Sequence, residues 1–304
     1  MDRDVLVVGE SLVDIVRGAD GSTVEYAGGS AANVAVALAR LGRPVRFATS
    51  FADDERGRMI AAHLKTAGVQ LASDPEAVER TSTALATIGA DGAAHYDFDL
   101  EWRLKPVEDA EPPLVVHTCS LGAVLAPGAD DVVELLTGLR DLATISYDVN
   151  ARPAITGTGP EVVARVERMV GISDLVKASD EDLTALYPHV DHVVAARNLL
   201  ELGPAAVIVT RGADGATWVG ASGEVEVASL PVRVADTIGA GDTFGAALVD
   251  ALWERDRLGA DRRTALRDLP AEEVADVLAH AARAAAVTVS RPGADPPYRH
   301  ELTD

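Results

Sequence analysis

Residues 236–248 read Asp-Thr-Ile-Gly-Ala-Gly-Asp-Thr-Phe-Gly-Ala-Ala-Leu, a turn with two glycines that runs directly into an apolar stretch. This pattern predicts a tight turn followed by a helix over about 241–254. Because Gly239 and Gly241 have no Cβ, the turn can present successive backbone N–H groups at the positive end of the helix dipole. The segment therefore predicts a binding site for an anion.

Asp242 stands in the first turn of that predicted helix. A carboxylate beside an anion site is poorly suited to holding phosphate, but it can accept a proton from an attacking hydroxyl. The alternative is that the glycines only make a tight turn and that Asp242 caps the helix. A second segment favours the catalytic interpretation, because residues 26–42 also place paired glycines before an alanine-rich helix: Tyr-Ala-Gly-Gly-Ser-Ala-Ala-Asn-Val-Ala-Val-Ala-Leu-Ala-Arg-Leu-Gly.

Composition limits the classes of function. The chain has 304 residues, of which 48% are hydrophobic and only 4% aromatic, and this suits helices packed on a parallel sheet. A net charge of −21 argues against nucleic acid and against anionic membrane surfaces as partners, since both require a basic face. Cys119 is the single cysteine, and no secretory signal or membrane-spanning apolar run is visible. We therefore expect a cytoplasmic protein.

Short apolar runs alternate with amphipathic stretches, which is the pattern of successive βαβ units. The predicted fold class is α/β, a three-layer αβα sandwich with a mostly parallel central sheet. Strands are predicted at 4–9, 45–50, 113–118, 144–149, 173–178, 205–210 and 231–235. Helices are predicted near 30–41, 55–67, 129–140, 160–170, 180–186, 191–202, 241–254 and 271–290.

Two segments, at about 12–27 and 82–104, depart from this alternation. Each has alternating residues around a hairpin-type turn, Asp20-Gly21 in the first and Asp91-Gly92 in the second. They predict a small antiparallel sheet inserted as a lid into a single domain that spans residues 1–304. A third hairpin, around Asp214-Gly215, is predicted at the edge of the main sheet.

The two glycine segments resemble the two signatures of the ribokinase-like, or PfkB-type, carbohydrate kinases. Further motifs follow in that family's order: Gly9 and Asp14, Asp-Val-Asn-Ala-Arg-Pro at 148–153, Thr-Arg-Gly at 210–212 and Arg-Pro-Gly at 291–293. The resemblance covers nearly the whole chain. It implies a ribokinase-like fold, ATP-dependent phosphorylation of a sugar hydroxyl, and a lid over the sugar site that in several members also makes a homodimer contact.

The resemblance also implies roles for individual residues. Asp242 is the expected general base, and the backbone of Gly239, Ala240, Gly241 and Asp242 the expected anion hole, with Arg152 near the transferred phosphate. The implied sugar-binding residues are Asp14, Gly28, Gly29, Asn33, Phe98 and Asn150, together with Asp242. The implied ATP-binding residues are Ser179, Thr210, Gly212, Gly215 and Gly241.

The resemblance to this family also implies binding sites for metal ions. Many relatives have Asn-x-x-Glu, whose glutamate influences the water shell of magnesium; here Ser179 and Asp182 occupy those places. The shorter carboxylate of Asp182 can still reach Mg²⁺ through water, although Ser179 also suits a helix cap. Relatives often bind K⁺ through backbone oxygens, here near Asp236, Ile238 and Gly293. The implied cofactors are thus ATP and Mg²⁺, with K⁺ as an option.

The motifs resemble fructokinases more than ribokinases, because the Gly-Gly-Ser-Ala-Ala-Asn segment stands nearer to their Gly-Gly-Ser-Pro-Ala-Asn. The acidic segment 95–101 disfavours charged substrates such as 2-keto-3-deoxygluconate and sugar phosphates. Alternatives that stay open are a kinase for 2-keto-3-deoxygluconate, ribose or a nucleoside, and a non-catalytic sugar-sensing protein on the same scaffold. An NAD-dependent dehydrogenase is disfavoured, since no Gly-x-Gly-x-x-Gly follows the first strand.

Overall fold

A computed structural model describes residues 3–18, 20–88, 94–107 and 111–302. Its main sheet has nine strands in the order β13-β12-β11-β10-β9-β8-β1-β4-β5. All neighbours from β11 to β5 are parallel, whereas β12 and β13 continue the sheet antiparallel at one edge. These strands are β1 (Val5–Val8), β4 (Val45–Ala48), β5 (Gln70–Leu71), β8 (Val115–Cys119), β9 (Thr144–Asp148), β10 (Leu175–Ser179), β11 (Ala206–Thr210), β12 (Ala216–Gly220) and β13 (Gly223–Val227).

Helices cover both faces of this sheet. They are α1 (Ser30–Arg40), α2 (Glu55–Ala67), α3 (Ser120–Val124), α4 (Gly128–Leu139), α5 (Pro153–Thr156), α6 (Pro160–Ile172), α7 (Asp180–Leu186), α8 (His192–Leu200), α9 (Ala240–Glu254), α10 (Arg263–Arg267) and α11 (Ala271–Val289). In β1, Val5 and Val7 pack with α1, α2, α9 and α11, while Leu6 and Val8 pack with α4, α6, α7 and α8. Successive strand residues point to opposite faces, so the buried strands join two cores. The predicted three-layer α/β fold is confirmed.

A second sheet has four strands in the order β3-β2-β6-β7. They are β2 (Leu12–Arg17), β3 (Thr23–Gly28), β6 (Thr83–Ile88) and β7 (Ala94–Asp99). Both hairpins are antiparallel, and β2 pairs with β6 in parallel. These strands fall in the two segments where the sequence predicts a lid, but the sheet is mixed, so the prediction of an antiparallel sheet is wrong for the β2–β6 pair. The division into one domain with an inserted lid stays a prediction, and the Asp91-Gly92 turn lies outside the described residues.

Helix α9, which carries the glycine turn at its start, is anchored near its other end by Asp250. This side chain is fully buried and accepts hydrogen bonds from Arg43 Nε at 2.6 Å and Arg299 Nη2 at 2.5 Å, and His280 Nε2 lies 3.0 Å from its Oδ2. Burial alone would raise the pKa of Asp250, but the hydrogen bond from His280 and the two guanidinium groups lower it. The charged cluster therefore fixes the position of α9 against the loop after α1 and the C-terminal segment.

The predicted strand at 231–235 is wrong, because this segment has no regular structure. Pro231 has no N–H to donate to a sheet, and Ala235 bonds instead to the carbonyl of Val289. The alternating Leu230, Val232 and Val234 line a cavity beside the sheet edge. The sequence also did not predict the two-residue β5 or the short helices α3, α5 and α10, whereas the hairpin after Asp214-Gly215 does extend the main sheet at its edge.

Candidate active site

The loops after the parallel strands meet at one edge of the sheet, where ligands bind in open α/β folds. The start of α9 lies at this edge. Gly239 precedes the helix with φ of 74°, a left-handed conformation, and a Cβ there would lie 2.7 Å from the Cβ of Ala294. Both restraints require glycine at this position. The turn thus brings the backbone N–H groups of Gly241 and Asp242 to the beginning of an apolar helix, as an anion hole requires. The Ala240 N–H, which was also expected in the anion hole, donates instead to the Thr237 carbonyl at 3.3 Å.

Asp242 lies in the first turn of α9 and its side chain is held by neutral donors. Ser30 Oγ donates to Oδ1 at 2.6 Å, and Asn33 Nδ2 donates to Oδ2 at 2.8 Å. Asn150 Nδ2 lies 3.4 Å from Oδ1 and donates to Ser30 Oγ at 2.7 Å. Within the described residues, Asp242 makes no salt bridge. Its carboxylate is therefore oriented without being neutralised, which suits a proton acceptor.

Asp14 reaches the same region from β2 in the lid. A Cβ on Gly28 would lie 2.2 Å from Asp14 Oδ2, so the absence of a side chain at position 28 makes room for this carboxylate. Gly29 has φ of 102°, and a Cβ there would lie 2.9 Å from the carbonyl oxygen of Glu10. The two glycines allow the lid and the start of α1 to approach the loop after β1. Burial raises the pKa of Asp14 to about 6, Arg152 lowers it, and Asp242 raises it.

Phe98 lies on the same face of the lid sheet as Asp14. Asp14 in β2 is paired with Ala84 in β6, and Ala84 is paired in turn with Phe98 in β7. The ring of Phe98 is 38% exposed and stacks on Tyr96 with ring centroids 6.1 Å apart. Phe98 therefore shares a face of the sheet with Asp14, and its contact with a sugar stays a prediction.

The loop after β9 carries Asn150 and Arg152. Asn150 has φ of 37°, and its Oδ1 accepts a hydrogen bond from Arg152 Nη1 at 2.6 Å. Asp182 fixes this loop from the start of α7, because its Oδ1 accepts from the Ala151 N–H at 2.8 Å and its Oδ2 from the Ser179 N–H at 2.8 Å. Asp182 thus joins two loops of the site, and its contact with magnesium through water stays a prediction.

A cavity of about 490 Å³ lies on the other side of the α9 N-terminus. Four of the five predicted ATP-binding residues line it, namely Thr210, Gly212, Gly215 and Gly241. Its remaining wall is mostly apolar and includes Pro231, Val232, Val234, Phe244, Ala282, Ala286 and Val289. The fifth, Ser179, is not in this wall; its Oγ accepts the Asp182 N–H at 3.0 Å and caps α7. The cavity is adjacent to the anion hole, since Gly241 belongs to both.

The three residues predicted to lie near potassium are close together. Asp236 Oδ1 accepts the Ile238 N–H at 3.0 Å, and Asp236 Oδ2 accepts the Gly293 N–H at 2.9 Å. These bonds hold the turn before α9 against the segment after α11. In the described part of the chain, no group of three or more His, Cys, Asp or Glu side chains is arranged to hold a metal ion. A cation here would depend on backbone oxygens.

Three residues of this region were not assigned a role from the sequence. Ser30 holds Asp242, and Glu10 lies buried after β1, where its Oε2 accepts the Gly122 N–H at 2.6 Å. Burial raises the pKa of Glu10 to about 7, although two backbone hydrogen bonds and Arg152 lower it. Lys177 forms a buried ion pair with Asp148. Ser30 stood inside the quoted glycine motif, so its place in that motif was the available signal.

The chain as a whole is similar to known proteins. The model of the pfkB family carbohydrate kinases matches residues 2–301. A fructokinase of Rhizobium leguminosarum bv. trifolii is 33% identical over 277 residues, which are 87% of this chain and 84% of the relative. The structure of a fructokinase of Xylella fastidiosa with bound ATP has a TM-score of 0.87 at 26% identity, covering 99% of this chain and 97% of that one.

A second solved structure is similar over most of both chains. It is a double mutant of the fructokinase of Vibrio cholerae O395 bound to fructose, ADP and a potassium ion. Its TM-score is 0.76 at 25% identity, and the match covers 96% of this chain and 94% of that one. The chain therefore belongs to the pfkB family of carbohydrate kinases. It has the ribokinase-like fold and is a sugar kinase, a phosphotransferase with an alcohol acceptor.

Of the helices in the described ranges, none could cross a membrane. The cytoplasmic location stays a prediction.

Proposed function

We propose that this sugar kinase transfers the γ-phosphoryl group of ATP to a hydroxyl of a neutral sugar, with fructose the first candidate, and that Asp242 is the general base. One observation carries the proposal. The Asp242 carboxylate lies within hydrogen-bond distance of a polar cluster formed by Ser30, Asn33 and Asn150, and the two residues that precede it, Ala240 and Gly241, line the apolar cavity, so Asp242 lies at the boundary between the two regions. A group at this boundary is placed to act between an alcohol on one side and a nucleotide on the other.

The residues of this chain then have separate tasks. Ser30 and Asn33 hold the Asp242 carboxylate so that it can accept the proton of the attacking hydroxyl. The N–H groups of Gly241 and Asp242 face the negative charge on the transferred group, and such preorganised donors are each worth about 100- to 1,000-fold in rate. The sugar oxygen forms the new bond to phosphorus as the bond to the ADP oxygen breaks.

The charges of the site favour a neutral acceptor. The side chains that reach the sugar side from the lid and from α1 are Asp14 and Asn33, which bind hydroxyl groups. The guanidinium of Arg152 is directed to Asn150 and to two backbone carbonyls, at 2.6 to 3.1 Å. A substrate with its own phosphate or carboxylate would meet several carboxylates and one arginine that is already bonded. The fructokinases among the similar proteins support a hexose.

The nucleotide would occupy the 490 Å³ cavity, whose glycine and alanine lining leaves room for a flat base. Magnesium supplies charge neutralisation on the ATP phosphates when it is bound, and Asp182 is the residue we expect nearest to it. The potassium ion in the Vibrio cholerae structure supports the expectation of a monovalent cation near Asp236, Ile238 and Gly293. Activity with K⁺ replaced by Na⁺ would test that site.

A homodimer through the lid is part of the proposal. The lid sheet exposes Val16, Val24, Tyr26 and Tyr96 on one face, at 39%, 46%, 58% and 58% of their surface. Cross-strand pairing places these apolar side chains together, so a second lid could cover them. Sedimentation velocity should show a dimer that Tyr96→Glu dissociates; a monomer at micromolar concentration in the unsubstituted protein would rule out this interface.

The experiment that tests the function is a panel of acceptors with magnesium ATP. We expect ADP production to be strongly stimulated by fructose or another neutral hexose. Ribose, a nucleoside and 2-keto-3-deoxygluconate are the competing acceptors, and the best of them by kcat/KM would replace fructose. If sugars bind in calorimetry but none stimulates ATP turnover, the chain is a sugar sensor and the catalytic proposal is wrong.

A further inference from the structure

Lys177 is a cation buried directly behind the proposed anion hole. Its side chain is 7% exposed and its Nζ lies 2.8 Å from Asp148 Oδ2, while Asp148 is 1% exposed. The two residues are paired in neighbouring parallel strands, so both side chains leave the sheet on the same face. Among the described residues, Lys177 is the sole lysine or arginine in the buried class.

Two glycines of helix α9 lie next to the Lys177 side chain. A Cβ on Gly241 would lie 3.4 Å from Lys177 Nζ, and a Cβ on Gly245 would lie 3.8 Å from Lys177 Cδ. Gly241 and Gly245 are four residues apart and therefore share one face of the helix. The first turn of α9, whose N–H groups form the anion hole, thus rests against the end of the lysine side chain.

The ion pair is poorly explained by stability alone. Burying two charges costs desolvation energy, and apolar residues of similar shape often stabilise a protein equally well or better. Asp148 Oδ1 is also buried, and it has no hydrogen-bond partner among the residues that the structure describes. Burial alone would lower the pKa of Lys177, but Asp148, and then Asp182 and Asp242, outweigh that effect and raise it. The lysine therefore keeps its proton, and its charge is fixed.

We propose that Lys177 is a positioning residue for phosphoryl transfer, supplying a fixed positive charge behind the first turn of α9, with Asp148 holding its ammonium in place. This inference rests on the proposed function. During transfer, the sugar proton goes to Asp242 and the phosphoryl group leaves ADP for the sugar oxygen, while Lys177 remains protonated throughout. Its charge opposes the negative charge that accumulates on the transferred group, inside a site where few water molecules screen it.

The test compares three variants: Lys177→Met, Asp148→Asn and the double variant with both changes. The double variant removes both charges together, so no unpaired charge remains buried and the fold is expected to survive. We expect kcat of the double variant to fall about 100-fold, as for the loss of one preorganised charge donor, with KM for sugar and ATP changed less than about threefold. Asp148→Asn keeps the ammonium and should lose less than about tenfold.

A second measurement separates this role from a purely structural one. Binding of the complex of sugar, MgADP and fluoroaluminate, which imitates the transferred group, should weaken in the double variant by about the factor lost in kcat. Binding of ADP alone should not change. Lys65→Met is the matched control for Lys177→Met, because Lys65 is exposed on α2 and each change removes one positive charge, whereas the double variant leaves the net charge unchanged.

The possible results distinguish a failure of the role of Lys177 from a failure of the proposed function. A double variant that is folded and retains kcat within threefold of the unsubstituted protein overturns the role of Lys177 and leaves the proposed function intact. A loss of kcat that is matched by equal losses in ADP binding and thermal stability overturns it as well. If the unsubstituted protein phosphorylates no acceptor in the panel, the proposed function fails and this inference fails with it.

Discussion

The two regions on either side of Asp242 differ in polarity: one is lined by polar side chains and the other mainly by apolar ones. On the sugar side, Ser30, Asn33 and Asn150 form a hydrogen-bonded group around the carboxylate, with Asp14 and Glu10 close by. On the nucleotide side, the cavity wall is mainly valine, alanine, glycine and proline. Under the proposed function, one region would recognise its ligand by directional hydrogen bonds and charge, and the other by shape and backbone donors.

The difference indicates where specificity resides. A site built from hydrogen bonds rejects a ligand that leaves one of its polar groups unpaired, because that group loses its partner while buried. An apolar cavity discriminates mainly by size. Substitutions on the sugar side should therefore change turnover and the choice of sugar, and substitutions in the cavity should change only the affinity for ATP.

The largest expected effect is at the boundary between the two sides. Asp242→Asn preserves size and most hydrogen bonds but cannot accept the hydroxyl proton, so kcat should fall about 100- to 10,000-fold with folding and ATP binding nearly unchanged. Steady-state kinetics and calorimetric titration with an ATP analogue would check this. Asp131→Asn, an exposed aspartate in the first turn of α4, is the control. Retention of more than a tenth of normal turnover would contradict the assignment of the base.

The next effect should be confined to the sugar side. Gly28→Ala introduces a Cβ 2.2 Å from Asp14 Oδ2, so the carboxylate must move. Loss of a hydrogen bond to a charged group costs about 1.5–3 kcal/mol, so KM for the sugar should rise about 10- to 100-fold while KM for ATP stays constant. Gly138→Ala is the matched control, since a Cβ at 138 meets nothing within 4 Å. An equal rise in both KM values would show that the two sides are not separable.

The converse experiment narrows the nucleotide cavity. Ala286→Leu adds three carbons to a wall residue of the cavity, so KM for ATP should rise about tenfold with KM for the sugar unchanged. Ala279→Leu makes the same change at an exposed position of the same helix and should have no effect. If Ala286→Leu leaves ATP affinity intact, the nucleotide base does not bind in this cavity.

The smallest effect on activity, and a clear effect on stability, is expected for Glu10→Gln. Burial raises the pKa of Glu10 from 4.5 to about 7, so the folded chain holds this proton more tightly than the unfolded chain. The stabilisation from the protonated side chain is present below pH 4.5 and is lost as pH rises through about 7. Because glutamine cannot ionise, the variant should gain up to about 3 kcal/mol relative to the unsubstituted protein between pH 5 and pH 8.

Urea unfolding at several pH values would measure this difference. Glu134→Gln, at an exposed position of α4, should show no such trend. A stability difference for Glu10→Gln that stays constant from pH 5 to pH 8 would mean that Glu10 is not held in its protonated form.

Several features of the fold and of the site could be predicted from short stretches of the sequence. The glycine turn and Asp242 were recognisable because consecutive residues form the motif, and so were the glycines before α1. The strand predicted at 231–235 failed because its apolar residues line a cavity and pair with no neighbouring strand, as Leu230, Val232 and Val234 show. Pro231 was the available warning, since it cannot donate to a sheet.

Contacts between residues that are far apart in the sequence were harder to predict. Ser30 and Asp242 are 212 positions apart, and no local pattern indicates that one hydroxyl would hold the other's carboxylate. Lys177 lies two residues before Ser179 in the sequence, yet only the structure shows that its ammonium lies close to Gly241. Asp182 read as a magnesium contact, and the structure shows both of its oxygens bonded to backbone N–H groups.

By itself, the sequence determined the alternation of strands and helices, the turn that exposes N–H groups at Gly239 and the carboxylate at 242, because each depends on neighbouring residues and short-range sterics. Only the tertiary structure decided which polar groups surround that carboxylate, where the nucleotide cavity opens, and that a buried lysine stands behind the anion hole. The physical reason is that burial, charge and hydrogen bonding depend on which distant segments pack together, and packing is a property of the whole chain.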